Sequence, residues 1–266
     1  MEIFGYIASV LIGVSLGLVG SGGSILTIPV LVYLFGIDAF IATEYSLFIV
    51  GISSVAGSVS YLKKGLVDLK TALVFGIPSI ISIFLTRSYL LPLIPIEVFR
   101  IGNFILTKDI FLLLIFAVLM IIASFKMIQK SSLSTIEVAH SHKNSIFKAA
   151  GEGSAVGILT GLVGAGGGFM IIPTLVNLLK IPMKVAIGTS LVIVSLNSLI
   201  GFFSAMNHSE IDWSLLISIS VIAIIGIIIG SYLSKKIDGK KLKPAFGWFV
   251  LIMGIYIIIK EIFFKI

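Results

Sequence analysis

Long apolar blocks alternate with short polar segments along the whole chain. Most blocks hold about 20 residues or more, the length that an α-helix needs to cross about 30 Å of hydrocarbon. The pattern therefore predicts a membrane protein built from helices. The blocks of the first half cover about 3–35, 41–62, 69–93 and 109–127, and those of the second half cover about 147–179, 183–206, 212–234 and 243–264.

One long polar segment, 128–146, separates two halves that resemble each other. Sliding the chain by 144 residues aligns 17–68 with 161–212 without a gap, and about 20 of about 50 aligned positions are identical. Self-similarity of this extent marks an internal duplication. We therefore expect a first transmembrane repeat at 1–127, a cytoplasmic linker at 128–146 and a second transmembrane repeat at 147–266.

A cluster of glycines interrupts the first block of each repeat. It reads GLVGSGGS over 17–24 and GLVGAGGG over 161–168, and a proline follows at Pro29 and at Pro173. Glycine loosens a helix, and in hydrocarbon an unwound backbone must be buried in protein or line a polar cavity. Two such breaks at matching positions indicate the binding site of a transporter. Close packing of helices through small residues is the alternative interpretation.

The positions of lysine and arginine favour a hairpin at each glycine cluster. If each broken block were a straight span, these residues would divide about evenly between the two sides of the membrane. If each block is a hairpin that enters and leaves on one side, 14 of the 19 fall on the cytoplasmic side and 5 outside, as the positive-inside rule expects. A break within one straight helix stays the alternative.

These observations predict an all-α polytopic membrane protein with both termini outside. Its two inverted repeats would each contain a Gly-broken helical hairpin plus three transmembrane helices. Composition agrees, since 58% of the residues are hydrophobic, 12% are charged and the mean hydropathy is +1.20, which excludes a soluble globular domain. The net charge of +7 reflects lysines in loops rather than a nucleic-acid partner. We expect a multi-pass protein of the cytoplasmic membrane.

Helices that begin after the glycine clusters would point unpaired N–H groups and the positive end of the helix dipole into the protein. Such helix ends bind small anions, and hairpins from opposite sides of the membrane would bring two of them together near the midplane. Hydroxyls of Ser21 and Ser24 would add donors. The candidate substrate-binding residues at the clusters are Gly20, Ser21, Gly22, Gly23, Ser24, Gly164, Ala165, Gly166, Gly167 and Gly168.

The second span of each repeat carries a polar face, because its polar residues recur seven to eight positions apart. A polar face on a membrane helix should meet a cavity or another helix. We expect 43–54 and 187–198 to line the path of the anion, with hydrogen bonds between helices as the alternative. The candidates on this path are Ser46, Ser53, Thr189, Ser190 and Asn197, accompanied by Ser54 and Ser198.

Glu44 is an acidic residue inside a predicted span. An intramembrane carboxylate indicates function, so Glu44 is a candidate for proton coupling or a partner for Arg87. Its equivalent in the second repeat is Gly188, and a solvated position near the membrane surface is the alternative for Glu44.

The sequence contains no pattern for catalysis or for a cofactor. HExxH, a Ser/His/Asp set and a P-loop are absent, and a chain without cysteine has no disulfide and no thiolate metal site. We therefore expect no catalytic residue, no cofactor and no metal. The alternative is a metal site at the linker histidines His140 and His142.

Several phrases resemble the sulfite exporter TauE/SafE family of membrane transporters. They are GLVGAGGGFMIIP over 161–173, AIGTSL over 186–191 and the pair Asp212-Trp213, and the first repeat follows a similar pattern. The resemblance implies a helical fold of two repeats and transport, usually export, of a small sulfur-containing anion such as sulfite, sulfoacetate or thiosulfate. Glu44-Tyr45 departs from the Gly-Thr that is usual in the first copy.

We therefore predict a permease that moves a small anion across the membrane by alternating access of its two repeats. A passive anion channel is one alternative, and a non-catalytic membrane subunit of a larger complex is another. An enzyme would need a convergent set of reactive side chains within the spans. The sequence leaves open the anion, the direction of transport, the coupling ion and assembly as a homo-oligomer.

Overall fold

Helices make up nearly all of the chain in the computed structural model, which describes residues 2–101, 104–128, 142–177, 179, 181–206, 211–233 and 239–263. The first repeat contains α1 (Glu2–Val19), a 3-10 helix (Gly20–Leu26), α2 (Thr27–Tyr33), α3 (Ala39–Lys63), α4 (Leu69–Leu85), a π-helical turn (Thr86–Leu90), α5 (Leu91–Leu93) and α6 (Lys108–Ile128). The second repeat contains α7 (His142–Val163), α8 (Gly168–Asn177), α9 (Met183–Ala205), α10 (Trp213–Leu233) and α11 (Gly239–Phe263).

Length and hydropathy suit a membrane. Within the described ranges, five helices are long and apolar enough to span a bilayer: Ala39–Lys63, Leu69–Leu93, Lys108–Phe125, Met183–Ala205 and Trp213–Leu233. Large apolar side chains such as Ile77 of α4, Ile228 of α10 and Ile252 of α11 are more than half exposed on the outside of the bundle. Lipid covers such surfaces in a membrane protein, and the predicted all-α membrane fold is confirmed.

Two local features differ from the sequence prediction. A two-stranded antiparallel hairpin, β1 (Glu97–Ile101) and β2 (Phe104–Thr107), joins α5 to α6, and Arg100 pairs with Ile105. It is too short for hydropathy to reveal. In addition, α7 begins at His142, within the segment predicted as linker, because a polar helix end gives no apolar signal. Residues 129–141 of that linker lie outside the described residues.

The chain turns back at the first glycine cluster. The ring of Tyr6, near the start of α1, packs edge-on against the ring of Phe35, just beyond α2, with the centroids 5.5 Å apart. A Cβ added to Gly5 would lie 2.6 Å from the same Phe35 ring. The chain therefore enters through α1 and returns to the same end through α2, which makes this block a hairpin.

The second glycine cluster turns the chain in the same way. Val156, in the second half of α7, packs in one buried apolar cluster with Ile171 and Leu175 of α8. Leu179, beyond the end of α8, lies against that cluster as well. After the glycine cluster the chain thus returns along α7, and this block is a hairpin like the first.

Helices of one repeat pack against helices of the other through glycine. Gly13 of α1 lies against Gly226 of α10. One turn later Gly17 lies against Gly230, so α1 and α10 run in the same direction. Small residues of this kind allow two helix backbones to approach closely in a membrane.

The equivalent pair of the duplication, α7 and α4, is arranged alike. Gly153 of α7 lies against Phe75 of α4. Gly157 lies against Ser79 one turn later, so these helices also run in the same direction. Each repeat therefore holds the first helix of the other against its own third long helix.

The centre of the bundle is formed by α3 and α9, which are equivalent helices of the two repeats. Gly51 of α3 lies against Leu199 of α9. Gly57, further along α3, lies against Leu191, which is earlier in α9. These two equivalent helices are consequently antiparallel.

A methyl group at the α1–α10 contact should destabilise the fold. A Cβ at Gly226 would lie 2.5 Å from the carbonyl oxygen of Val10, so we expect Gly226→Ala to lower the free energy of unfolding by about 1–3 kcal/mol through overpacking. Gly151→Ala is the matched control, because no atom lies within 4 Å of its added Cβ. Thermal unfolding in detergent micelles compares the two; equal stability would contradict the packing described.

The hairpin also predicts which ends of the chain share one side of the membrane. The chain has no cysteine, so single cysteines can be introduced and labelled with a membrane-impermeant maleimide in intact cells. Glu2→Cys and Asp38→Cys should react from the same side, and Lys64→Cys from the opposite side. If Glu2→Cys and Asp38→Cys react from opposite sides, the first glycine-broken block crosses the membrane as a single span and is not a hairpin.

Candidate functional site

The tips of the two hairpins meet inside the protein. Ile25 of the 3-10 helix belongs to the same buried cluster as Ala165 and Phe169 of the second tip. A Cβ on Gly20 would lie 3.1 Å from a side-chain methyl of Ile172 in α8. The two glycine clusters, about 144 residues apart in sequence, are therefore neighbours in the fold.

The second tip is unwound and requires glycine. Gly164, Gly166 and Gly167 have φ angles of +77°, +66° and +69°, a region that L side chains adopt only with strain. Space is equally restricted, since a Cβ on Gly166 would lie 2.6 Å from the hydroxyl oxygen of Ser198. Helix α8 begins directly after this segment at Gly168, as the sequence predicted.

The first tip differs from the prediction. The sequence predicted a helix starting directly after Ser24, but Gly20–Leu26 is a 3-10 helix and α2, which begins at Thr27, has only seven residues. The chain breaks at Gly20, whose φ is +72°, and the 3-10 helix that follows continues directly into α2. An α-helix that begins directly after the glycine cluster is therefore present at the second tip and not at the first. Gly20 and Ser24 are buried at this tip, whereas the side chain of Ser21 is not described.

Buried polar atoms surround the second tip. A Cβ added to Gly167 would have the hydroxyl oxygen of Thr160 as its nearest atom. A Cβ added to Gly166 would have the hydroxyl oxygen of Ser198 as its nearest atom. Neither hydroxyl has a hydrogen-bond partner within the described residues. Because a buried polar group without a partner is costly, these hydroxyls are available to a bound molecule. Other buried oxygens of this kind are those of Thr27, Ser46 and Ser54 and Oδ1 of Asn197.

Other predicted path residues have structural partners. The hydroxyls of Ser53 and Ser190 donate to carbonyls one turn earlier in their own helices, at 2.6 Å and 2.9 Å. Thr189 Oγ1 accepts from the Asp68 N–H at 2.9 Å, and Asn197 Nδ2 donates to Ser79 Oγ at 2.7 Å. For Thr189 and Asn197 the structure therefore contains the contacts of the alternative interpretation, hydrogen bonds that hold segments together.

A charged cavity adjoins the second tip. It measures about 200 Å³ and is lined by Glu44 of α3, Arg87 of the π-helical turn and Lys108 of α6, together with Phe40, Leu91, Pro92 and Ala205. Glu44 and Arg87 are each 1% exposed, and the two charges interact. A Cβ on Gly164 would lie 2.6 Å from Nη2 of Arg87, so the guanidinium lies directly beside the unwound backbone.

Sequence reasoning named Arg87 as an alternative partner of Glu44 but did not select Arg87 or Lys108 as site residues. It counted both among charges outside the membrane, whereas the structure buries Arg87 completely. The available signal was the position of Arg87 within the apolar block 69–93, where an isolated arginine indicates function. Lys108 lies at a block boundary and gave no signal.

Metal ligands do not converge in the described part of the chain, where no three His, Asp or Glu side chains are grouped. His140, one of the two linker histidines, lies outside the described residues, and the side chain of His142 is not described.

Asn197 and Ser79 offer a direct test of the contact between α9 and α4. In a double-mutant cycle, Asn197→Ala and Ser79→Ala should show a coupling energy of about 0.6 kcal/mol, the average for hydrogen bonds between membrane helices. Thermal unfolding of the two single variants and the double variant measures it. Strict additivity would contradict the hydrogen bond.

The chain is similar in sequence to known membrane transporters. The family model described as Sulfite exporter TauE/SafE matches residues 6–257. A probable membrane transporter protein of Xylella fastidiosa is 32% identical over 255 residues, 93% of this chain and 91% of the relative. The probable membrane transporter protein YunE of Bacillus subtilis is 25% identical over 280 residues, 97% of this chain and 99% of the relative. No solved structure matches the chain. With spanning helices and a family match over nearly its whole length, the chain belongs to the sulfite exporter TauE/SafE family of membrane transporters.

Proposed function

We propose that the protein is a permease for a small anion, a sulfur-containing one such as sulfite, sulfoacetate or thiosulfate, and that it exports this anion across the cytoplasmic membrane. The observation that carries the proposal is the meeting of two hairpin tips beside buried hydroxyls without hydrogen-bond partners. An unwound backbone at this depth is tolerated where it lines a site.

The chemistry of the second tip suits an oxyanion. Helix α8 begins at Gly168, and the first N–H groups of a helix together with its dipole favour negative charge. The hydroxyls of Thr160 and Ser198 lie beside the same segment and can donate to an oxygen. The family description supplies the sulfur oxyanion as the substrate class.

Alternating access follows from the way the repeats interlock. Equivalent helices α3 and α9 are antiparallel, and α1 and α7 each pack on a helix of the other repeat. This relation is what two repeats of inverted membrane orientation require, and rocking one such repeat against the other would open the site to each side in turn.

Flux through proteoliposomes tests the proposal. Radiolabelled sulfite should enter with saturable kinetics. Thiosulfate, sulfoacetate and sulfate are each added in excess, and those that the protein transports should reduce the uptake of sulfite. Absence of flux for all four anions would contradict the sulfur-anion assignment. A flux that rises in proportion to the sulfite concentration, without saturating and at a rate higher than a rocking carrier can reach, would support the passive channel instead.

Substitution of the second tip should abolish transport. Gly166→Leu forces a side chain into a left-handed backbone and against Ser198, so we expect the initial rate of uptake to fall at least about tenfold. Gly151→Leu is the matched control, because open space surrounds that exposed position. Both variants are reconstituted at equal density after size-exclusion chromatography. Unchanged uptake by a monodisperse Gly166→Leu protein would refute the proposed site.

A further inference from the structure

The duplication is broken at two charged positions. Position 44 is Glu in the first repeat and its equivalent, position 188, is Gly. Gly161 packs on Thr86 as Gly17 packs on Gly230, so the same shift of 144 residues places Ser231 opposite Arg87. Surrounding positions are better matched, since Ser46, Ser54 and Gly57 are identical to their equivalents. An acid and a base thus occur together in one repeat, and both positions are neutral in the other.

A second cavity lies between α3 and α10, beside position 231. It measures about 160 Å³, and Ser231 lines it with Gly57, Ser60 and Ile227. Of the residues that line this cavity, only Ser231 corresponds under the 144-residue shift to a residue of the charged cavity, Arg87. Because α3 and α9 are antiparallel, the two cavities lie toward opposite ends of the bundle.

Arg87 lacks the hydrogen bonds that a buried arginine requires. A guanidinium has five N–H donors in a planar fork, yet Nε, Nη1 and Nη2 have no hydrogen-bond partner within the described residues. Burying such a group without acceptors is costly. The same fork binds an oxyanion through two parallel hydrogen bonds, so the missing acceptors are those that an oxyanion would supply.

We propose that Arg87 binds the transported oxyanion and that Glu44 competes with the anion for Arg87, so that one proton enters Glu44 with each anion bound. The inference rests on the proposed function and adds its coupling. Without the anion, ionised Glu44 balances Arg87. When the anion occupies the guanidinium, two negative charges would share one buried cation, and protonation of Glu44 removes the repulsion.

The other charges at this cavity are already engaged. Lys108 Nζ donates to the carbonyl oxygen of Leu91 at 2.8 Å and lies 4.4 Å from the centre of the Phe40 ring. Asp109 Oδ1 accepts from the Phe40 N–H at 2.8 Å. Glu44 is the carboxylate that lines the cavity itself, where it interacts with Arg87 and Lys108.

Charge balance fits this exchange. With Glu44 ionised, the lining side chains Arg87, Lys108 and Glu44 carry a net charge of +1, and with Glu44 protonated they carry +2. The protonated cavity therefore matches a monoanion or a dianion. Release of the anion returns the proton from Glu44, so anion and proton would move across the membrane in the same direction.

Equilibrium binding tests the inference without relying on flux. The probe is thiosulfate, whose charge is constant between about pH 5 and about pH 8, and its Kd is obtained from thermal stabilisation of the purified protein. Wild-type Kd should weaken with rising pH, with a limiting slope of about tenfold per pH unit for one coupled proton. Glu44→Gln should bind tightly with little dependence on pH.

Further variants separate the roles of the two side chains. Arg87→Gln should lose stabilisation by thiosulfate, and Arg87→Lys should weaken it but keep its pH dependence because the charge remains. Asp109→Asn is the matched control, a neighbouring acid whose removal should leave the slope unchanged. A Glu44→Gln protein that keeps the wild-type slope, or an Arg87→Gln protein that binds like wild type, would overturn the inference.

Transport separates this inference from the proposed function. In proteoliposomes a pH gradient, acid on the side of the anion, should drive its accumulation in wild type. Glu44→Gln should keep flux down the anion gradient and lose that accumulation. If the Glu44→Gln protein still accumulates the anion in response to the pH gradient, the proposed coupling is refuted and the permease stands. If no anion is transported although thiosulfate binding depends on pH, the permease is refuted and the proposed binding site stands.

Discussion

An unwound backbone cannot face lipid, and the whole arrangement of helices depends on that constraint. In hydrocarbon each N–H and C=O must find a partner within the protein or a polar cavity. The segment at Gly164–Gly168 is kept away from lipid because Thr160, Ser198 and the first hairpin tip enclose it. Two hairpins that end inside the bundle thus shield each other, and neither repeat can form its centre without the other.

Glycine has two separate physical roles in this fold. At Gly164, Gly166 and Gly167 it permits a left-handed backbone that opens the helix. At Gly13 and Gly226 it lies within ordinary helix and permits close approach of α1 and α10. The two roles depend on each other, because only tightly packed outer helices can hold an open segment in place at the centre.

Duplication has produced two halves with the same path and different chemistry. The first tip remains a 3-10 helix, while the second is unwound and begins a longer helix. The charged pair Glu44 and Arg87 belongs to the first repeat, yet Arg87 lies beside the tip of the second. A site built from both repeats in this way changes whenever one repeat moves relative to the other, which is what alternating access requires.

Hydropathy predicted the spans, the positions of lysine and arginine predicted the hairpins at the glycine clusters, and the identities between 17–68 and 161–212 revealed the duplication. The same local signals could not distinguish a 3-10 helix at Gly20–Leu26 from an open break, since both sequences are rich in glycine. Partners distant in sequence were decided only by the tertiary structure. Asn197 donates to Ser79 because α9 packs on α4, and Arg87 lies beside Gly164 because α4 packs on α7. No spacing along the chain records which helices will touch.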